Sequence, residues 1–278
     1  MSALPKIGKA PAKAEPAKPD LPPFDFTPGR RLTLAGAPEG HDARLLVALI
    51  AREQRDLLHI ASDDGRMARL SDLIAFYDPS LEIVTFPAWD CLPYDRVSPN
   101  GEITSRRIDT LTSLGTRLAA SAATGPVFVL TTVNAVVQRV PPRKLFDDRV
   151  LTVGAGGKIG LDRLQSFFLN NGYIRTDTVR DPGEFAIRGG IVDLYPSGAA
   201  QPVRLDFFGD QVESLRVFDP LTQRSTGKLD RLELKPVSEV LLDEPAITRF
   251  RTRYRELFGN VGSDDQLYES VKIGRAHV

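Results

Sequence analysis

The stretch from Tyr173 to Pro220, YIRTDTVRDPGEFAIRGGIVDLYPSGAAQPVRLDFFGDQVESLRVFDP, decides the fold of this chain. Short runs rich in Val, Ile, Leu, Phe and Tyr alternate with clusters of Pro, Gly, Ser and Asp, a pattern typical of strands joined by turns. The Gly209-Asp210 pair allows a tight hairpin turn, because glycine adopts positive φ readily. We expect a mostly antiparallel meander of strands at Tyr173 to Thr178, Glu184 to Arg188, Gly190 to Leu194, Pro202 to Phe208 and Gln211 to Phe218.

Side-chain alternation sorts the faces of these strands. Val203, Leu205 and Phe207 are predicted to point to one side, and Arg204 and Asp206 to the other. One interpretation is a solvated sheet face with weak ion pairs, each contributing less than about 1 kcal/mol. The other is a polar docking surface, because planar guanidinium groups suit a partner rich in carboxylates. Further arginines on the predicted strands are Arg175, Arg188 and Arg216.

The upstream part of the chain alternates between strand and helix patterns. A helix pattern over Gly65 to Tyr77 lies between buried strands at Leu57 to Ser62 and Leu81 to Phe86, and Val127 to Thr131 repeats the strand pattern. This order predicts a parallel sheet with helices on its faces.

A further helix is expected after Thr104 or Ser105, either of which could cap it, and it runs to Ala119. Its apolar residues are predicted to form a stripe along one face of the helix, and its arginines are expected to be solvated. The alternative for the pair Arg106 and Arg107 is contact with phosphate or with a partner. The stripe is Ile108, Leu111, Leu114 and Leu118, and the arginines are Arg106, Arg107 and Arg117.

A strand from Arg31 to Ala35, the turn GAPEGHD and a helix from Ala43 to Arg55 occupy the place of a phosphate-binding loop. Such a loop needs a lysine for the phosphates and a hydroxyl for magnesium. The turn has neither, and Glu39 and Asp42 would repel a triphosphate. We therefore expect no nucleotide here. A second glycine-rich stretch, GAGGKI, has Ile159 where the hydroxyl is needed and is interpreted as a connector.

Composition limits the function classes. The 278 residues are 42% hydrophobic and 26% charged, with a net charge of +0, so the whole chain has no basic field for nucleic acid. Its single cysteine, Cys91, gives no disulfide or metal spacing and is interpreted as buried filler. Trp89 and Tyr94 could stack on bases, but packing is favoured. The start has no secretory leader pattern and no apolar run is long enough to span a membrane, so the expected location is cytoplasmic.

No catalytic pattern is present in the sequence. The three histidines are scattered, no serine lies in a Gly-x-Ser-x-Gly elbow, and no metal-ligand cluster is spaced along the chain. We therefore predict no catalytic, cofactor-binding or metal-binding residue in this segment.

Several blocks carry a family resemblance. GYIRTD, EFAIRGGIVDLYP and VRLDFFGDQVESLRVFDPLTQRS resemble the second domain of the transcription-repair coupling factors (the Mfd family) and of their homologue UvrB. FPAWDCLPYDRVSPNGEITSRRIDTLTSL, from Phe86 to Leu114, is similar to the first domain of the coupling factors. The blocks occur in family order, and the resemblance covers roughly residues 28–272.

The resemblance implies an α/β fold: a degenerate, discontinuous P-loop-type parallel sheet domain with an inserted α+β, mostly antiparallel second domain. Its divisions are 28–134 (domain 1a), 135–219 (domain 2) and 220–272 (the start of domain 1b, returning to the first domain). Residues 1–27, rich in Ala, Pro and Lys, are expected to be a disordered tail. Residues 273–278 fit nothing upstream and are interpreted as a non-native tail.

In function, the resemblance implies a non-catalytic module that recruits UvrA to start nucleotide excision repair. The full protein would displace stalled RNA polymerase at lesions in double-stranded DNA, using ATP and magnesium in a distant motor domain. Arg175 and Arg188 match docking arginines of UvrB. Weaker candidates for partner binding are Asp193, Arg204 and Phe207.

The sequence departs from the UvrB pattern at Ala186, which stands where UvrB has another arginine. Two other functions fit the sequence less well. A UvrB-like damage-verification ATPase is disfavoured by the missing lysine of the phosphate loop. A standalone DNA-binding module is disfavoured by the neutral net charge.

Overall fold

The computed structural model describes residues 29–92, 98–119, 125–147, 149–259 and 264–272. The helices are α1 (His41–Glu53), α2 (Asp64–Tyr77), α3 (Gly101–Ala119), α4 (Val133–Val136), α5 (Lys144–Asp147), α6 (Leu161–Asn170), α7 (Glu244–Phe258) and α8 (Gln266–Lys272). The strands are β1 (Leu57–Ala61), β2 (Glu82–Phe86), β3 (Val127–Thr132), β4 (Leu151–Gly154), β5 (Ile174–Arg175), β6 (Glu184–Arg188), β7 (Ile191–Leu194), β8 (Val203–Phe208), β9 (Gln211–Phe218), β10 (Ser225–Leu229) and β11 (Arg231–Leu234). The predicted mixed α/β fold, with a parallel sheet and antiparallel sheets, is confirmed.

The first sheet is parallel, in the order β1-β3-β2. β3 lies in the middle and is buried on both faces, as expected for a strand that reads as a continuous apolar run. Its Phe128 and Leu130 are buried in a core shared with α1 and α2. Helix α3 packs against β2.

The strand predicted from Arg31 to Ala35 is absent, and this prediction was wrong. Leu32 and Leu34 are 46% and 55% exposed and pair with no strand of the described chain. An alternating apolar run forms a strand only where a neighbour supplies its hydrogen bonds and a core covers one face. The helix that follows begins at His41, directly after Gly40, whose φ of 90° lies in the left-handed region.

The predicted meander is a six-stranded sheet in the order β10-β9-β8-β7-β6-β5. All neighbours are antiparallel except β5 and β6. Gly209, at φ 58°, forms the predicted hairpin between β8 and β9. One face packs against α6 through a core that includes Phe168, Phe185 and Leu205, all 0% exposed.

The same core continues past residue 219, where the second domain was predicted to end. β10 extends the six-stranded sheet, and β11 pairs with β4 in a separate two-stranded sheet. Leu232 and Leu234 on β11 belong to the core beneath α6. The strands and core of this layer therefore run to about residue 237.

Helix α3 departs from the amphipathic pattern read from the sequence. Asn100 contacts its first turn with a side-chain oxygen that accepts from the N–H of Glu102, so neither Thr104 nor Ser105 caps it. Leu118 is 75% exposed, whereas Arg107, expected in solvent, is 0% exposed. The stripe prediction was therefore wrong for Leu118. The expectation of solvated arginines was wrong for Arg107, because a buried carboxylate, described below, binds it.

Two further expectations concern the loop after β2. Cys91 is half-buried rather than fully buried. Trp89 is also half-buried, and its indole N–H donates to Glu239, as expected for packing within the protein. Tyr94 and the predicted tails at residues 1–27 and 273–278 lie outside the described residues. Within the described ranges, no helix is both long and apolar enough to cross a bilayer.

Candidate docking face of the six-stranded sheet

The six-stranded sheet has a polar side opposite its core. Pairing places Ala186, Asp193, Arg204, Arg216 and Lys228 in one row across five strands, because each is the direct partner of the next. Direct partners in a sheet point to the same face. The adjacent row contains Arg188, Ile191, Asp206 and Ser214. We call the side formed by both rows the guanidinium face.

Asp193 is the centre of the guanidinium face. Its side chain is fully buried although it is charged. Arg204 donates to both of its oxygens, Nε to Oδ1 at 2.6 Å and Nη2 to Oδ2 at 2.9 Å. Arg188 donates from Nη2 to Oδ2 at 2.5 Å. The bidentate pair fixes the plane of the Arg204 guanidinium, and the shared carboxylate holds the two arginines side by side.

Arg204 also contacts an aromatic ring. Its guanidinium carbon lies 4.9 Å from the centroid of the Phe218 ring, a cation–π arrangement. The hydrogen bond to Asp193 raises the pKa of Arg204 further above its ordinary value. With its side chain 19% exposed, Arg204 is a rigid part of the platform rather than a mobile surface group.

A second carboxylate, Asp206, lies in the adjacent row. Asp206 accepts hydrogen bonds from the Ser214 hydroxyl and from the Arg216 guanidinium, whose Nε lies at 3.1 Å. Burial acts to raise the pKa of Asp206, but the hydrogen bonds from Ser214 and Arg216 outweigh it and leave the pKa lowered. Asp206 is therefore an anion at neutral pH and orients Arg216.

The outer parts of the face remain accessible. The side chains of Arg188 and Arg216 are 54% and 41% exposed. Ile191 is the direct partner of Arg188 in the adjacent row and is 39% exposed. Each arginine is anchored at one end by a carboxylate, and a planar guanidinium carries five N–H donors. The face can thus offer oriented donors around an apolar contact to an anionic surface.

The structure brings together three of the five residues predicted to bind a partner: Arg188, Asp193 and Arg204. Arg175 lies on the edge strand β5 and pairs with Phe185, whose side chain is in the core, so the register places it on the other face. Phe207 follows a register shift in β8 and packs half-buried against the core. These two residues do not join the guanidinium face.

The sequence-based choice left out Asp206, Ser214, Arg216 and Lys228. The Gly209-Asp210 turn gave no signal for three of them, because a two-residue link continued without interruption would pair Arg204 with Leu215 and Asp206 with Glu213. The register shift between Asp206 and Phe207 produces the observed pairs, Arg204 with Arg216 and Asp206 with Ser214. Lys228 was missed for the same reason, since a register shift also interrupts the β9–β10 pairing.

In the loop of residues 36–42, which occupies the place of a phosphate-binding loop, an aspartate of the chain binds the backbone N–H groups. The Asp42 carboxylate accepts from the backbone N–H groups of Gly40 at 3.1 Å and Ala43 at 2.9 Å, and it contacts the Arg66 guanidinium. Burial would raise the pKa of Asp42, but these hydrogen bonds outweigh it and the pKa is lowered. Glu39 accepts from Arg66 at 3.2 Å and from Arg69 at 2.9 Å. The donors near the start of α1 are thus bound by carboxylates of the chain.

Comparison with known proteins identifies the layer that carries the guanidinium face. Residues 151–239 match the family model described as the UvrB interaction domain. Residues 151–239 are thus similar to that domain, and we call them the UvrB interaction domain from here on. The match begins at β4 and ends just after β11, so it covers the six-stranded sheet, the two-stranded sheet and α6. The UvrB interaction domain thus contains Arg188, Asp193 and Arg204.

Curated relatives extend the similarity beyond the UvrB interaction domain. The chain is 33% identical over 259 residues to the transcription-repair-coupling factor of Haemophilus influenzae, covering 92% of the chain and 22% of the relative. It is 34% identical over 242 residues to that of Escherichia coli, covering 87% and 20%. The Myxococcus xanthus protein is 32% identical over 228 residues, covering 80% and 18%. The chain thus spans about a fifth of these relatives, and the resemblance read from the sequence is confirmed.

Proposed function

We propose that this chain is the UvrA-docking part of a transcription-repair coupling factor, and that the guanidinium face is its contact surface. The observation that carries the proposal is the buried Asp193, which holds Arg188 and Arg204 within a UvrB interaction domain. Replacing a whole buried ion pair by well-packed apolar residues is often neutral or stabilising, so the arrangement points to a role other than stability alone.

The chemistry of the face favours a partner with exposed carboxylates. Arg188, Arg204, Arg216 and Lys228 contribute four positive charges to the two rows, against two negative charges from Asp193 and Asp206. Electrostatic complementarity of this kind speeds encounter and selects the partner. Ile191 and the pre-oriented guanidinium groups reduce the entropy lost on binding, because little rearrangement is needed.

The direct test is calorimetric titration of UvrA into the whole chain at two salt concentrations. We expect a one-to-one complex whose affinity falls as salt rises, because exposed charges contribute to it. Absence of binding at tens of micromolar UvrA would refute the proposal. The variant Arg163→Glu, on the exposed side of α6 away from the guanidinium face, serves as the matched surface control.

We further propose that the parallel sheet derives from a nucleotide-binding fold and does not bind nucleotide. Asp42 supports this, since it is an anion on the backbone amides that a phosphate would use. Titration with a fluorescent ATP analogue and magnesium should show no binding at micromolar concentration. Binding in that range would favour the alternative function, a UvrB-like ATPase.

The remaining parts of the function concern the longer protein. We propose that residues 28–134 and the part of 220–272 that follows residue 239 belong to one domain, into which the UvrB interaction domain is inserted. In the full cytoplasmic protein, ATP and magnesium would act in a separate motor domain that engages double-stranded DNA and displaces stalled RNA polymerase. This chain would then recruit UvrA to the lesion. Reconstitution of repair with a full-length protein lacking residues 151–239 would test this division of labour: polymerase release should persist and UvrA recruitment should fail.

A further inference from the structure

The most deeply buried charge outside the guanidinium face is Arg107 on α3, which is 0% exposed. Its Nε and Nη2 donate to the two carboxylate oxygens of Glu239 at 2.5 and 3.2 Å. Its Nη1 donates to the carbonyl oxygen of Pro87 at 2.7 Å and to Gln138 Oε1 at 3.1 Å. Four of the five guanidinium N–H donors are therefore bound by residues from three other segments of the chain.

Aromatic rings close the same site. The Arg107 guanidinium carbon lies 4.2 Å from the centroid of the Phe86 ring and 4.9 Å from that of the Trp89 ring. The Trp89 indole N–H also donates to Glu239 at 2.9 Å. Phe86 ends β2 of the parallel sheet, whereas Glu239 follows β11. The network thus joins the parallel sheet to the UvrB interaction domain.

The same short segment binds α3 on its other side. Lys235 donates to the Asp109 carboxylate at 2.7 Å. Residues two apart in an α-helix point about 200° apart around the axis, so Arg107 and Asp109 project from nearly opposite sides of α3. Residues 235–239 therefore cross the helix and hold it from both sides.

A second contact of α3 lies beside this crossing. The Ser197 hydroxyl donates to the Ser105 carbonyl oxygen at 2.8 Å, and the Gly198 N–H donates to Ser105 Oγ at 2.9 Å. A Cβ at Gly198 would lie 2.4 Å from the Asp109 carboxyl carbon, so the approach leaves no room for a side chain. These contacts are polar and directional, unlike the apolar core within each layer.

We propose that residues 235–239 are a strap across α3, an internal latch that fixes the UvrB interaction domain against the parallel sheet and opens without unfolding either layer. The separate apolar cores, one beneath α6 and one between α1, α2 and β3, give each layer its own stability. The strap instead depends on few charged contacts, which specify orientation more than they add stability. The proposal does not rest on UvrA docking.

Hydrogen exchange of the whole chain, read by mass spectrometry, tests the strap. Glu239→Gln removes the charge that Arg107 needs and keeps the side-chain shape. Glu256→Gln removes one partner of the exposed pair with Arg253 and serves as the matched control. We expect the backbone amides of 86–89, 135–138 and 235–241 to exchange about 10- to 100-fold faster in Glu239→Gln, because a buried charged hydrogen bond is lost. Protection of β3 and β8 should not change.

Two results would overturn the strap. One is equal acceleration throughout the chain, which would make Arg107 an ordinary part of a single cooperative core. The other is exchange no faster than in the Glu256→Gln control. If Glu239→Gln prevents folding, Lys235→Met loosens the other side of the strap and is judged by the same pattern of exchange.

Discussion

Replacing Asp193 by Asn removes the charge that organises the guanidinium face while keeping the side-chain shape. The carboxylate is fully buried and accepts hydrogen bonds at 2.5, 2.6 and 2.9 Å from two guanidinium groups. Arg188 is 54% exposed and can rehydrate, so its share is that of a surface pair, about 0–1 kcal/mol. Arg204 is mostly buried, and its charged hydrogen bonds should contribute about 1.5–3 kcal/mol. We expect Asp193→Asn to lose about 1.5–4 kcal/mol of unfolding free energy.

Urea unfolding followed by circular dichroism measures this loss. Asp230→Asn, at an exposed position between β10 and β11, is the matched control and should change the free energy by less than about 0.5 kcal/mol. A loss for Asp193→Asn as small as that of the control would show that the buried carboxylate does not hold the two arginines, and the account of the face would fail.

Three further predictions concern pH, backbone fit and the second carboxylate. The pKa of Asp206 is lowered in the folded state, so its contribution to stability is present above the ordinary pKa of about 3.9 and is lost as pH falls below it; in Asp206→Asn, the acid limb of unfolding free energy against pH should be shallower, and an unchanged limb would count against the pairing. Gly198→Ala, at φ 76° and with its Cβ 2.4 Å from Asp109, should lower the melting temperature more than Gly189→Ala, at φ 60° with nothing within 4 Å; equal shifts would mean that only backbone strain matters. Arg216→Ala should weaken UvrA binding less than tenfold, since Arg216 is anchored away from Asp193, whereas Arg163→Ala should leave it unchanged.

Local pattern predicted the UvrB interaction domain better than it predicted the contacts between layers. The strands Glu184–Arg188 and Gln211–Phe218 have the predicted bounds, because alternation and turn residues are local signals. The strand predicted at Tyr173 to Thr178 shortened to Ile174–Arg175, an edge strand with a neighbour on one side. Edge pairing depends on that neighbour, which the sequence run itself does not specify.

The burial of Arg107 could not be predicted from helical periodicity. Periodicity assigns an arginine to the solvent side, and its partner Glu239 lies 132 residues further along the chain. Asp193 was a weak candidate for a related reason. Its two arginines are 5 and 11 residues away, but the link between β7 and β8 is too long to set their register. Local patterns in a single sequence do not show which charged residues become partners when their strands or segments are joined by long links.

The most direct test of the central claim is the affinity of UvrA for Arg188→Glu, measured by calorimetry beside the wild type and Arg163→Glu. If the guanidinium face is the contact surface and Arg188 forms a buried pair there, charge reversal at Arg188 should cost about 2–5 kcal/mol of binding free energy. The reason is that the new glutamate would face a carboxylate of UvrA. Arg163→Glu should bind as the wild type does. Equal affinity of all three proteins for UvrA, with the variants folded, would contradict the account.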